Sequence, residues 1–211
     1  MLPRTAFVLL TNGFADWEAA SALAELRRTF QYSVRTVGLS ARSVVSMGGF
    51  AVTADLSLCE FVPETASILI LPGGDAWTEG ETAEVSNAVR AVVALSRPVA
   101  AICAATLALA HAGLLNDRLH TSNGKGFIEK YVPDYRGQNL YRPLRSVRDK
   151  CVVTATVWRR LLSQLRYFVH LFPNAKRTSR FTRAFTPVVC WTSRKTASVR
   201  CHVATHNALI M

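Results

Sequence analysis

Residues 97–115 have the sequence RPVAAICAATLALAHAGLL and decide the fold of this chain. The apolar residues at 99–102 predict a buried strand, and the alanine-rich run at 104–112 predicts a helix directly after it. Cys103 lies at the joint, on the carboxyl edge of the predicted sheet. The free N–H groups of a helix start, that of Ala104 among them, favour an anion. We therefore expect the Cys103 thiol to lose its proton more easily than a free cysteine, with a buried structural cysteine as the ordinary alternative.

Apolar runs alternate with helical patterns through the first 156 residues. Strands are predicted at 5–11, 32–38, 67–71 and 119–122, helices at 16–29, 82–95 and 124–131, a helical turn at 55–62, and hairpins at 44–52 and 144–155. Strands that alternate with helices of about 10–15 residues predict a largely parallel sheet covered on both faces. The expected fold class is therefore α/β.

Three features follow strands of this sheet, where parallel sheets bind their ligands. Glu18 is in the first turn of a predicted helix, Gly73 and Gly74 follow a buried strand, and Cys103 follows another. The two glycines, lacking side chains, expose N–H groups that could form an oxyanion hole, and Glu18 could hydrogen-bond the sulfur or transfer its proton. A tight turn and a helix-dipole partner are the ordinary alternatives. Their convergence at one edge favours a reactive thiol.

Three segments, in this order, resemble the ThiJ/PfpI superfamily, which is a class I glutamine-amidotransferase-like group. They are FADWEAA at 14–20, ILILPGGDAW at 68–77 and VAAICAATLALAHAGLL at 99–115. The resemblance covers residues 5–156. It implies a flavodoxin-like three-layer sandwich, a homodimer, Cys103 as the nucleophile at a sharp elbow between strand and helix, and Glu18 as its carboxylate partner.

Many members of this family carry a histidine at a strand end after the cysteine helix. Here the sequence HTSN at 120–123 aligns with that strand, which puts Ser122 or Asn123 near the family position and His120 two residues before it. His120 is therefore a candidate third catalytic residue, and the spacing leaves open whether it reaches Cys103.

Charge divides the chain near Thr156. Residues 1–156 carry 15 Lys+Arg and 14 Asp+Glu, whereas the 55 residues at 157–211 carry 10 Lys+Arg and no acid. Ordinary composition would give a segment of this length about six or seven acids. We therefore predict an α/β domain at 1–156 and a poorly ordered basic tail at 157–211 that results from a frameshift. A genuine basic tail that binds nucleic acid is the alternative.

The tail also bears on activity, because true glutamine amidotransferases use a His and a Glu from a later segment. Without an acid after residue 156, the sequence argues against glutaminase activity. Five scattered cysteines without metal-type pairing or a secretion signal favour reduced thiols in the cytoplasm, with no metal, cofactor or membrane partner.

Two functions follow for the reactive thiol. The first is a cysteine-dependent enzyme that acts on small reactive carbonyls or related electrophiles, of the glyoxalase, deglycase or small-amide hydrolase type. The alternative is a redox-sensing or chaperone-like stress protein in which Cys103 is oxidised without turnover.

Overall fold

The computed structural model describes residues 4–80 and 83–157 of the chain. The strands, in chain order, are β1 (Thr5–Leu10), β2 (Ser33–Gly38), β3 (Val44–Val45), β4 (Ala51–Val52), β5 (Leu56–Ser57), β6 (Ile68–Leu71), β7 (Val99–Ile102), β8 (Ser146–Asp149) and β9 (Val152–Ala155). The pair β3–β4 forms a separate antiparallel hairpin. The others form one seven-stranded sheet.

The seven-stranded sheet has the order β5-β2-β1-β6-β7-β9-β8. Its pairings are parallel except for the antiparallel closing hairpin β8–β9. All four residues of β6 and of β7 are buried, because these continuous apolar runs lie at the centre of a sheet covered on both faces. The predicted mostly parallel α/β architecture is confirmed.

Helices cover both faces of the sheet. They are α1 (Asp16–Arg28), α2 (Ala76–Glu79), α3 (Ala83–Ala94), α4 (Thr106–His111) and α5 (Phe127–Tyr131). Alternate residues of β6 face opposite sides, so Ile68 and Ile70 pack in a core cluster with α1, whereas Leu69 and Leu71 pack in a second cluster with α3 and α4. This is the three-layer, flavodoxin-like sandwich that the resemblance implies.

One local prediction is confirmed only in part, and another was wrong. Residues 55–62 begin with the short strand β5 and continue as a 3-10 turn, Leu58–Glu60, which Ser57 and Glu60 cap reciprocally. Residues 119–122 form only an isolated bridge at His120, opposite Tyr141, because side-chain hydrogen bonds rather than a ladder hold this segment. The predicted tail, apart from Val157, lies outside the described residues.

In the part of the chain that the structure describes, helices are too short or too polar to cross a bilayer.

Candidate active site

Cys103 begins a sharp strand-to-helix turn. It follows β7, starts the 3-10 turn Cys103–Ala105 and precedes α4. Its backbone is left-handed, with φ +60°, a conformation that non-glycine residues adopt rarely and at an energetic cost of about 1–3 kcal/mol. The segments that follow β1 and β6 end at the same edge of the sheet, because β6 lies beside β7 and β1 lies beside β6. The sequence prediction of converging strand ends is therefore realised.

Glu18 supplies a buried carboxyl group at this edge. It lies in the first turn of α1, and only 2% of its surface is exposed. Oε2 accepts a hydrogen bond of 2.6 Å from the Gly73 N–H. Within residues 4–80 and 83–157, Oε1 is buried and has no hydrogen-bond partner. Burial raises the pKa of Glu18 to about 7, although the Gly73 N–H and the Cys103 thiol both act to lower it.

Gly73 lies against both the Cys103 thiol and the Glu18 carboxyl group. A methyl group at this position would lie 2.7 Å from Cys103 Cβ, 3.0 Å from Cys103 Sγ and 2.8 Å from Glu18 Oε2. Contacts this short exclude a side chain, so glycine is required by the close approach of its neighbours. Because its N–H is donated to Glu18, Gly73 orients the carboxyl group. This corrects the expectation that Gly73 is an oxyanion donor.

Gly74 and Ala104 are the other two residues predicted to form an oxyanion hole. Gly74 is buried against the segment after β1, where an added Cβ would lie 2.9 Å from the Gly13 carbonyl oxygen. The N–H of Ala104 is directed at the Cys103 sulfur. These are the two backbone amides on which an oxyanion proposal rests.

Asn123, which is not among the candidate residues predicted from the sequence, also reaches the sulfur. Its Nδ2 donates a hydrogen bond of 3.1 Å to Cys103 Sγ. The alignment of HTSN had put Asn123 near the family's histidine position. An amide does not titrate, so its residue type carries no signal of acid–base chemistry.

The pKa of Cys103 is raised to about 11, mainly by burial and then by the negative charge of Glu18. The amides of Asn123 and Ala104 act in the opposite direction. The prediction that the helix start lowers this pKa was wrong, because desolvation and the neighbouring carboxylate outweigh the helix amides.

The site thus has a half-buried cysteine after a central strand, a buried carboxyl group beside it and a glycine pair after the adjacent strand. The DJ-1/PfpI family matches residues 4–170. The chain belongs to the DJ-1/PfpI family. This match runs past Thr156, where the composition changes.

Several proteins resemble the chain over most of its length. The "uncharacterized protease" YoaZ of Bacillus subtilis is 34% identical over 163 aligned residues, and the match covers 74% of this chain and 78% of YoaZ. A DJ-1 superfamily protein of Agrobacterium tumefaciens has a TM-score of 0.72 and 33% identity, over 81% of this chain and 92% of its own. A thiJ/pfpI family protein of Bacillus anthracis has a TM-score of 0.72 and 31% identity, over 82% of each chain.

His120 of this DJ-1/PfpI protein makes its hydrogen bonds to groups other than Cys103. It is completely buried, its Nδ1 lies 2.7 Å from the Arg118 carbonyl oxygen, and its Nε2 lies 2.5 Å from the Tyr135 hydroxyl. These distances fit a neutral ring that donates from Nδ1 and accepts at Nε2. Both nitrogens are thus used away from Cys103. The expectation that His120 assists the thiol is corrected, since the structure brings Asn123 to the sulfur instead.

The DJ-1/PfpI site therefore combines a thiol, one buried carboxyl group, the side-chain amide of Asn123 and the backbone N–H groups of Gly73 and Ala104. In the described ranges no three His, Cys, Asp or Glu side chains group closely enough to hold a metal ion. The chemistry that these groups offer by themselves is nucleophilic attack with proton transfer to and from a single acid–base residue.

Proposed function

We propose that this DJ-1/PfpI protein uses Cys103 as a nucleophile toward small reactive carbonyls or related electrophiles, with Glu18 as its acid–base partner. The observation that carries the proposal is the junction at Gly73, where a methyl group would touch both the sulfur and Glu18 Oε2. The proposed nucleophile and base thus share one buried site, as covalent catalysis requires.

The two pKa values indicate how the thiol would react. Burial raises the pKa of Glu18 to about 7 and that of Cys103 to about 11, so complete proton transfer from the thiol to Glu18 before attack is unfavourable. Transfer that accompanies attack avoids this cost. In the proposed step, the sulfur bonds to the carbonyl carbon, the thiol proton passes to Glu18, and the C=O π electrons move to oxygen.

The oxyanion formed in this step needs donors and then a proton. We assign the donors to the backbone N–H groups of Gly74 and Ala104, and the proton to Glu18, which returns it to give a neutral hemithioacetal. Glu18 is suited to both halves of the step, because a group with a pKa near 7 is present in both protonation states at neutral pH.

The second candidate function is redox sensing through oxidation of Cys103 to a sulfinate. It is favoured by the donors already directed at the sulfur, which are the Asn123 side chain and the Ala104 N–H. A sulfinate is an anion with two acceptor oxygens, and a protonated Glu18 would supply it with a third hydrogen bond.

A homodimer is part of the same proposal. Trp17 on α1 is 37% exposed, and Met47 and Phe50 in the β3–β4 hairpin are 45% and 65% exposed. The two segments are joined through Asp16, whose Oδ2 accepts hydrogen bonds from Ser46 Oγ at 2.5 Å and from the Gly48 N–H at 2.9 Å. Exposed apolar side chains on connected segments support an interface with a second copy.

The test is the consumption of methylglyoxal, a small α-oxoaldehyde, by the purified full chain and by Cys103→Ser. We expect the substitution to abolish turnover, since serine is a far weaker nucleophile than a thiol. Cys59→Ser is the matched control, because Cys59 is an exposed thiol. Turnover that survives in Cys103→Ser would refute the proposed enzyme. If the intact protein has no turnover but peroxide converts Cys103 to a sulfinate, the redox function replaces it.

A further inference from the structure

Residues 120–123 form a short arm in which every side chain is hydrogen-bonded. His120 is bonded as described above, the Thr121 hydroxyl donates to the Leu144 carbonyl oxygen at 2.7 Å, and the Ser122 and Thr106 hydroxyls are 2.6 Å apart. The first three residues of the arm are at most 1% exposed. Only Asn123 is exposed, and its Nδ2 is the end of the arm that meets the sulfur.

The arm is also tied to the turn that carries Cys103. The Thr106 hydroxyl donates to the Cys103 carbonyl oxygen at 2.7 Å while it contacts Ser122. A second group orients the Asn123 amide, because the Val157 N–H donates to Asn123 Oδ1 at 3.4 Å. With the oxygen of the amide engaged by this donor, the NH₂ group is the end that faces the sulfur.

The hydrogen bond from Asn123 to the Cys103 sulfur matters because of the charge nearby. Glu18 contributes a negative charge that opposes a thiolate. In the described part of the chain, Asn123 supplies a side-chain donor that opposes this effect, and hydrogen bonds to charged acceptors are stronger than neutral ones. Unlike a histidine, the amide has no proton to lose, so it remains a donor at every pH.

We propose that Asn123 is a further residue of the reactive site, whose side-chain amide stabilises the negative charge that develops on the Cys103 sulfur. The inference deepens the proposed function, since it concerns the same nucleophile. Asn123 acts on the reacting atom itself, and residues 120–122 hold it in place.

The test is the rate at which iodoacetamide alkylates Cys103 at pH 8 in the full chain, resolved by peptide mass spectrometry, with Cys59 of the same molecules as the internal reference. In Asn123→Ala, we expect the Cys103 rate to fall by about three- to tenfold. Loss of a hydrogen bond to the thiolate lowers the thiolate fraction, and the higher nucleophilicity of a more basic thiolate offsets part of that loss. Asn123→Asp keeps the shape of the side chain but adds a negative charge, so it should react more slowly than Asn123→Ala.

The direction in which the alkylation rate changes shows whether Asn123 acts as a hydrogen-bond donor or only shields the sulfur from the reagent. If Asn123 only shielded the sulfur, the smaller alanine would speed alkylation; an unchanged or faster rate in Asn123→Ala overturns the inference. The matched control is Asn139→Ala, an exposed asparagine that should leave the rate unchanged. Circular dichroism of each variant checks folding. Normal alkylation in Asn123→Ala, together with lost turnover in Cys103→Ser, would reject the role of Asn123 and leave the proposed function intact.

Discussion

The molecule contains two buried polar clusters that differ in how completely their hydrogen bonds are satisfied. In the histidine cluster, His120 uses both ring nitrogens, on the Arg118 carbonyl oxygen and the Tyr135 hydroxyl. In the thiol cluster, Glu18 leaves Oε1 without a hydrogen-bond partner among the described residues, beside a cysteine with a left-handed backbone. A satisfied cluster stabilises the fold, whereas unsatisfied and strained groups cost stability and are retained at reactive sites.

The pKa values of Glu18 and His120 also distinguish the reactive thiol cluster from the structural histidine cluster. The pKa of Glu18 is raised to about 7 by burial, which places its titration in the neutral range, where acid–base catalysis operates. Burial lowers the pKa of His120, so its ring stays neutral. The residue type most often associated with acid–base chemistry is therefore the structural one here, and the carboxyl group is the candidate for catalysis.

The largest effect expected on stability comes from the thiol cluster. Below pH 4.5 Glu18 is protonated in both the folded and unfolded states. Between pH 4.5 and about 7 only the unfolded chain releases this proton, so rising pH favours unfolding. We expect the free energy of unfolding to fall across this window by about 3 kcal/mol more in the unaltered protein than in Glu18→Gln. Urea unfolding of both proteins at pH 4.5 and pH 7.5 measures it; parallel pH dependences would mean that Glu18 is not held in its protonated form.

A smaller effect on the free energy of unfolding is expected from a substitution in the histidine cluster. His120→Leu leaves the Tyr135 hydroxyl and the Arg118 carbonyl oxygen without their partner in a buried region, which should lower the free energy of unfolding by about 1–3 kcal/mol. Turnover of methylglyoxal by the folded variant should fall far less than in Glu18→Gln. Urea unfolding and initial rates measure the two quantities. A stable variant without activity would reverse the roles of the two clusters.

The sequence predicted the sheet and the positions of its main helices, because continuous apolar runs and helical periodicity are local signals. It also placed Glu18, Gly73 and Cys103 at one edge, because parallel strands align their carboxyl ends. The direction of the Cys103 pKa was predicted wrongly. That direction depends on burial and on the distance to Glu18, and neither is encoded in the spacing of residues.

The structure of the arm that ends at Asn123 could not be predicted from the sequence, for a different reason. Its partners Tyr135, Leu144 and Thr154 are distant in the chain, and a segment held by side chains has neither strand nor helix periodicity. The alignment of HTSN with the family's histidine strand made His120 the catalytic candidate, because it is the residue of this segment that titrates near neutral pH. The frameshift near Thr156 remains a prediction, and reading the coding DNA in its other frames from codon 157 tests it.

The pH dependence of methylglyoxal turnover, compared between the unaltered protein and Glu18→Gln, tests the pairing of Cys103 with Glu18 most directly. We expect kcat/KM of the unaltered protein to rise with pH, with a midpoint near 7, as Glu18 ionises and accepts the thiol proton. Glu18→Gln should be slower by about 10²–10⁴-fold on the plateau and should lack this rise. A folded Glu18→Gln variant that keeps the same midpoint, or the unaltered rate, would show that Glu18 does not move the proton of Cys103.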